Sequence, residues 1–314
     1  MNINIKDTWA RQSPYDRFFD FIAPDAERYS ILTGHIEKLK LNSAAVKIEG
    51  NSHIFIFPAG QKTHKSAHCF SCASSFNFDG KSPYILCAHY DRVEGSPGAN
   101  DNSIAVFHLL NAALILTAKG IDNWMIIFTD KEELSAGENP EKQGSYSLAK
   151  KIKTWGLENE KIFIFDSCGT GDVLIISTTT DHILKDSRNE NINKVRNTIL
   201  KLRDHALAAA NRLRLEKVLL APTPFSDDAG FLRAGLASLV ITALPAQEAE
   251  KYESLLRREP DFAHTIISQK IKTPEEKRSL PGTWQNLNSA RDTPSRLTPL
   301  FFEQVVRFMT ELCS

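Results

Sequence analysis

The run Tyr84-Ile85-Leu86-Cys87-Ala88 empties into His89-Tyr90-Asp91, and the whole chain is read outward from it. An apolar run without alternation marks a strand buried on both faces, as inside a parallel sheet. Downstream, Gly98-Ala99-Asn100-Asp101-Asn102 gives a small-residue loop that carries an acid. Ile126-Ile127-Phe128-Thr129-Asp130 runs likewise into Lys131-Glu132-Glu133, and Ile162-Phe163-Ile164-Phe165 into Asp166. Three apolar strands therefore deliver His, Glu and Asp at their carboxyl ends, where open α/β sheets gather ligands.

The surrounding segments alternate in the same way. Tyr15 to Leu41 reads as helix, and Val46 to Phe57 and Ala67 to Phe78 read as strands parted by Pro58-Ala59-Gly60. Ser103 to Ala118 is an apolar helix closed by Gly120, followed by the Trp124–Thr129 strand and a helix from Gly144 to Trp155. Val173–Ser177 and Ala237–Ala243 are further strands, a long charged helix covers Ile192 to Arg214, and Thr298 to Cys313 closes the chain as an amphipathic helix. Strand–helix alternation predicts one three-layer α/β/α domain over residues 1–314 with a central mixed, mostly parallel sheet. Residues 1–45 are expected as an N-terminal helical segment and 246–283, polar and Pro-interrupted, as an irregular excursion.

Composition narrows the possibilities. The 314 residues are 42% hydrophobic and 24% charged, and Lys+Arg balance Asp+Glu at 38 each. A net charge of zero offers no electrostatic footprint for nucleic acid or an anionic membrane. No basic, apolar leader opens the sequence and no apolar run approaches the roughly 20 residues of a bilayer span, so a cytoplasmic protein is expected. Five scattered cysteines form no disulfide framework. Cys69 and Cys72, with His64 and His68 upstream, invite a zinc reading, but one short hairpin would have to wrap all four ligands round the ion. Thiols packed in a β-ribbon beside Phe70, Phe76 and Phe78 are the preferred reading.

The chemistry follows from the donor types. His and carboxylates suit a zinc ion. Asp91, two residues past His89, points to the same side and would fix the imidazole tautomer. Of the adjacent pair Glu132-Glu133, one carboxylate can bind metal while the other serves as general base in metal-assisted hydrolysis.

These residues resemble, in order, the signatures of the co-catalytic two-zinc aminopeptidases, whose relatives include the glutaminyl cyclases. Ser226-Asp227-Asp228-Ala229-Gly230-Phe231, Gly144-Ser145-Tyr146 and Asp292-Thr293 agree with the same likeness. It implies one zinc on His89, Asp166 and bridging Asp101, and a second on Asp101, Glu133 and a last histidine. It also implies Glu132 as general base, Asp91 as orienting carboxylate and a peptide substrate trimmed from its N-terminus by attack of hydroxide. The last histidine is replaced: four residues before Asp292-Thr293 stands Asn288, a neutral and weaker zinc donor. The second site is then weak, filled by a harder ion or empty, unless His264 loops in. Asp228 is expected to line the substrate pocket, and His108 to be a packed core residue. Two alternatives stay open: a metal-binding homologue with lost or altered activity, and acyl transfer as in the glutaminyl cyclases, which use one zinc and are typically secreted.

Overall fold

The Tyr84 run lies at the centre of an eight-stranded sheet in the computed structural model, which describes residues 5–59, 82–135, 138–268 and 279–314. The strands are β1 (Ser43–Ile48), β2 (Asn51–Ile56), β3 (Tyr84–His89), β4 (Trp124–Thr129), β5 (Lys161–Phe165), β6 (Val173–Ser177), β7 (Val218–Ala221) and β8 (Leu239–Leu244). Their order is β1-β2-β4-β3-β5-β8-β6-β7. β4, β3, β5 and β8 are mutually parallel, β2 and β6 join them antiparallel, β1 pairs antiparallel with β2, and β7 runs parallel to β6. The sheet is mixed and mostly parallel.

Both faces are covered, which explains the unbroken apolar runs. Leu86, Ala88, Ile126, Phe128, Phe163 and Phe165 point to one side, against helices Ile104–Ala118, Glu190–Arg212 and Pro299–Glu311 and the N-terminal segment. Ile85, Cys87, Met125, Ile127, Ile162 and Ile164 point to the other, against Leu148 and Ile152 of helix Gly144–Thr154 and Phe231 of Asp228–Arg233. Each large side chain fully buried in these layers contributes about 1.5–3 kcal/mol. Helix Ile104–Ala118 is apolar on nearly every side because the sheet and the C-terminal helix enclose it. Its His108 is fully buried and hydrogen-bonds the Tyr15 hydroxyl at 2.8 Å, the packed core residue expected.

Some elements differ from the sequence reading. Val46–Phe57 is not one strand but part of a hairpin, folded at Glu49-Gly50, both at positive φ. Such a turn matches the twist of the strands it joins. The expected Tyr15–Leu41 helix is split by Pro24 into Phe18–Phe21 and Arg28–Lys38. The supposed excursion is ordered over 246–268 as helices Ala246–Arg258 and Phe262–Ser268, with Gly282–Asn286 beyond. There, Ala249, Tyr252, Leu255 and Leu256 form a narrow apolar stripe that heavy charge hides in the sequence. Edge strand β7 went unread. The Ala67–Phe78 strand and the Cys69/Cys72 motif lie outside the described residues.

Candidate metal centre and cavity

Parallel pairing brings three strand ends to one edge. In β3–β4 His89 faces Thr129, and in β3–β5 Cys87 faces Ile164, so His89, the loop after Thr129 and Asp166 emerge together. Asp101 arrives from the loop that starts helix Ile104–Ala118. The asparagines on either side of it fix its place. Asn100 Oδ1 accepts the Gly169 N–H at 2.8 Å, while Asn102 donates to the Phe165 carbonyl at 2.8 Å and accepts from Ser167 N–H. Both ties reach the end of β5 that carries Asp166. From the opposite side, the Asp292 carboxylate accepts the Asn100 and Asp101 backbone N–H groups, each at 2.9 Å. Buried Arg28 holds the same loop by donating to the Tyr90, Asp91 and Pro97 carbonyls and to Ser103 Oγ.

The centre itself is compact. His89 Nε2 lies 3.2 Å from Asp101 Oδ1 and 3.8 Å from Asp166 Oδ2, and Nδ1 lies 3.4 Å from Asp91 Oδ1. Candidate donor atoms of His89, Asp101 and Asp166 lie within 4.8 Å of one another, as do those of His89, Glu132 and Glu133. Asp91 accepts the backbone N–H groups of Glu132 and Glu133 at 3.1 and 3.0 Å, tying the histidine strand to the glutamate loop. Gln143 Nε2 donates to Glu132 Oε1 at 3.0 Å.

The electrostatics call for a cation. Burial opposes charge on the His89 ring, yet the Asp101 and Asp91 carboxylates hold its pKa well above the ordinary imidazole value. Burial, then the repulsion of Asp101, pushes Glu133 up to about 9, and burial with neighbouring Glu133, Asp227 and Asp166 pushes Glu132 well up too. Although burial opposes it, Asp91 is held below the usual range by His89 and the two N–H groups. Among the described residues, both ring nitrogens of His89 and Glu133 Oε1 are buried without a well-formed hydrogen bond. An imidazole and several carboxylates crowded together, with buried atoms unsatisfied, fit a divalent metal such as zinc.

A family model described as peptidase family M28 matches residues 75–271. That is more than half of the 314 residues. The chain belongs to this family. Comparison with curated protein sequences finds no match. Among solved structures, the Tannerella forsythia glutaminyl cyclase is 14% identical at a TM-score of 0.60, with 95% of this chain and 96% of that one covered. A Zn-dependent exopeptidase from Parabacteroides distasonis is 12% identical at 0.56, with the same coverage. A zinc aminopeptidase from Bacillus subtilis is 18% identical at 0.50, covering 83% of this chain and 48% of that one. This chain thus spans about half the length of that aminopeptidase. At such identities the likeness is one of fold.

In this M28 chain Asp101, Glu132, Glu133, Asp166 and Asn288 all line one cavity of about 740 Å³. Asn288 is exposed on its wall at φ 55°, a left-handed backbone that asparagine tolerates better than most residues. His264 does not join the cluster; it is exposed and near enough to His182 to affect that ring's titration. Asp228 is buried behind the cavity rather than lining it, where its Oδ1 accepts Ser226 N–H. Sequence reading passed over Gln143, the Asp292 clamp, Arg28 and Asp227, whose carboxylate is fully buried on the Thr129 hydroxyl. Asp292 and Asp227 each carried a signal, as parts of Asp292-Thr293 and Ser226-Asp227-Asp228. The others acquire meaning only through contacts between distant segments.

Proposed function

We propose that this M28 chain is a zinc-dependent aminopeptidase. One observation carries the reading: Glu132, held by Gln143, opens on the same cavity as Asp101 and Asp166 of the histidine–aspartate cluster. A zinc ion held by His89, Asp101 and Asp166 would polarise a peptide carbonyl and lower the pKa of water. Glu132 accepts the proton of the attacking water and hands it to the departing amine. With Oε1 engaged by Gln143, its other oxygen is left for that proton. Glu133 and Asp101, on the same wall, offer negative charge to the substrate's free α-ammonium group, which directs cleavage to the N-terminal residue. On the resemblance, Asn288, which lines the same cavity as Glu133, takes the place of the last ligand with only a neutral amide to offer.

Glu132→Gln is the test. It keeps the shape and the Gln143 contact but cannot take a proton, so kcat on aminoacyl-anilides falls by roughly 10²–10⁴. Zinc content measured by mass spectrometry stays unchanged. Activity surviving in that variant overturns the reading.

A second reading rests on the shared ligand. Among the described residues both candidate triads include His89, which favours a centre that holds a single ion. The resemblance associates such a centre with glutaminyl cyclases. A Gln-initiated peptide that loses ammonia, rather than its first residue, selects that reaction.

A further inference from the structure

The stretch from His89 to Asp101 carries a ligand candidate at each end, and one side chain from far away in the sequence holds those ends together. Arg28, the first residue of helix Arg28–Lys38, is only 7% exposed. Its Nη1 donates to the Tyr90 and Asp91 carbonyls, each at 3.0 Å, just past His89. Its Nη2 donates to the Pro97 carbonyl at 2.8 Å and to Ser103 Oγ at 2.9 Å, on either side of Asp101. All four N–H bonds of the two terminal nitrogens are thereby used, in the planar fork that only arginine offers. The Phe21 ring lies against the guanidinium, its centre 4.7 Å from Cζ.

We propose that Arg28 is a positioning residue for the metal centre: it sets the spacing of His89 and Asp101, and so couples metal affinity to docking of the N-terminal helical segment. The inference rests on the zinc reading of this cluster, not on which reaction follows. The chain is shaped to admit this side chain. Gly98 stands at φ 59°, and a Cβ there would lie 2.9 Å from Arg28 Nη2 and 2.6 Å from the Asp101 carbonyl oxygen. A glycine avoids both collisions and tolerates the left-handed backbone. A second arginine closes the clasp from the other side. Arg92 donates to the Pro97 carbonyl, which it shares with Arg28, and to the Ile22, Ala23 and Pro24 carbonyls at 3.0, 2.7 and 2.8 Å. The N-terminal segment and the ligand loop thus each send an arginine into the other's carbonyls.

Packing alone does not call for an arginine here. Taking a guanidinium out of water is costly, and an apolar side chain of similar volume serves a core as well or better. What an apolar residue lacks is four fixed hydrogen-bond directions and a positive charge. Burial and Arg92 oppose that charge, while the Asp91, Asp101 and Asp292 carboxylates favour it. Arg28 in turn eases the repulsion among these acids without competing for the metal's donors. Its four hydrogen bonds go to carbonyls and a hydroxyl, so they take up no carboxylate oxygen.

The experiment measures zinc affinity by chelator competition in wild type, Arg28→Lys, Arg28→Met and Arg92→Ala. Amide exchange of helix Arg28–Lys38 is followed alongside, with and without zinc. Arg28→Met is expected to lower the affinity roughly ten- to hundredfold, the usual scale for groups that orient metal ligands. Arg28→Lys, which keeps the charge and loses the fork, loses less. Coupling is reciprocal, so zinc slows exchange in the wild-type helix by about the same factor, and Arg28→Met removes the slowing. A role confined to folding lowers Tm and moves neither quantity. Arg92→Ala, at a half-buried position bonded only to carbonyls, carries the test if Arg28→Met does not fold, and it lowers zinc affinity in the same direction. Affinity equal to wild type in every folded variant overturns the clasp and leaves the metal reading standing. Helix exchange that ignores zinc in the wild type overturns it as well. A wild type that takes up no zinc overturns both. Zinc affinity that falls as described, with no anilide cleaved, keeps the clasp and removes only the peptidase.

Discussion

Asp91 divides two oxygens among three groups: the Glu132 and Glu133 N–H donors and the His89 ring. It therefore aligns the His89 ring at the end of β3 with Glu132, the proposed base, in the loop after β4. Asp91→Asn keeps one acceptor but turns an N–H₂ toward donors that need an oxygen. Partners of this kind usually account for about ten- to hundredfold in metal affinity or activity, and a loss of that size is expected here, measured by chelator competition for zinc. Affinity equal to wild type would mean that the backbone alone orients His89. At this scale the sequence was readable where a residue's place in the cluster is announced by its position at a strand end, as with His89 and Asp166. Gln143 gave no such sign, since it lies eleven residues past Glu132 and reaches it only because the intervening loop folds back. The asparagine at 288, four residues before Asp292-Thr293, was plain in the sequence, whereas its left-handed backbone was not.

Between residues and the whole fold stand the junctions of elements, and the tightest near the site is Gly144. This glycine begins the helix packed under β4, and its N–H donates to the Lys131 carbonyl in the loop leading to Glu132. A Cβ there would sit 1.9 Å from the Asp130 carbonyl oxygen and 3.1 Å from the His53 ring. A backbone oxygen cannot retreat without moving the glutamate loop. Gly144→Ala is expected to destabilise by about 3 kcal/mol or more, read from urea denaturation, and to lower activity in the fraction that folds. Gly34 makes the contrast. It lies within helix Arg28–Lys38 with no atom within 4 Å of an added Cβ, so Gly34→Ala should stabilise by about 0.8 kcal/mol. The elements themselves were largely legible, since runs such as Ile162–Phe165 have few ways to be buried other than inside a parallel sheet. What escaped was decided by local turns and by weak patterns. Glu49-Gly50 folds one apparent strand into two, and β7 offers four residues, only one of them buried.

For the whole molecule the dominant fact is a concentration of buried acid at one sheet edge. Burial lifts Asp227 to about 6 and, with repulsion from Asp227 and Asp166, lifts Asp228 to about 7. Neither acid is among the expected ligands, and both sit beneath the cluster that would hold the ion. A carboxyl whose folded pKa exceeds its unfolded one near 4 binds its proton more tightly in the folded state. Its contribution favours folding below the unfolded value and is lost as pH rises through the folded one. The metal-free protein should therefore lose stability between about pH 4 and pH 8, by an amount set by these two groups and the cluster acids. Asp228→Asn removes one of these titrations without touching a ligand, so the slope of Tm against pH in chelator should flatten through pH 5 to 7. Zinc acts in the opposite direction. Its charge offsets the repulsion that deprotonation creates, and binding only to the folded state raises Tm by mass action. The Tm difference between zinc-loaded and chelated protein should thus widen from pH 5 to pH 8, followed by scanning calorimetry. A difference that is flat across this range would show that the acids under the cluster keep their ordinary titration and that the cation does not answer their charge.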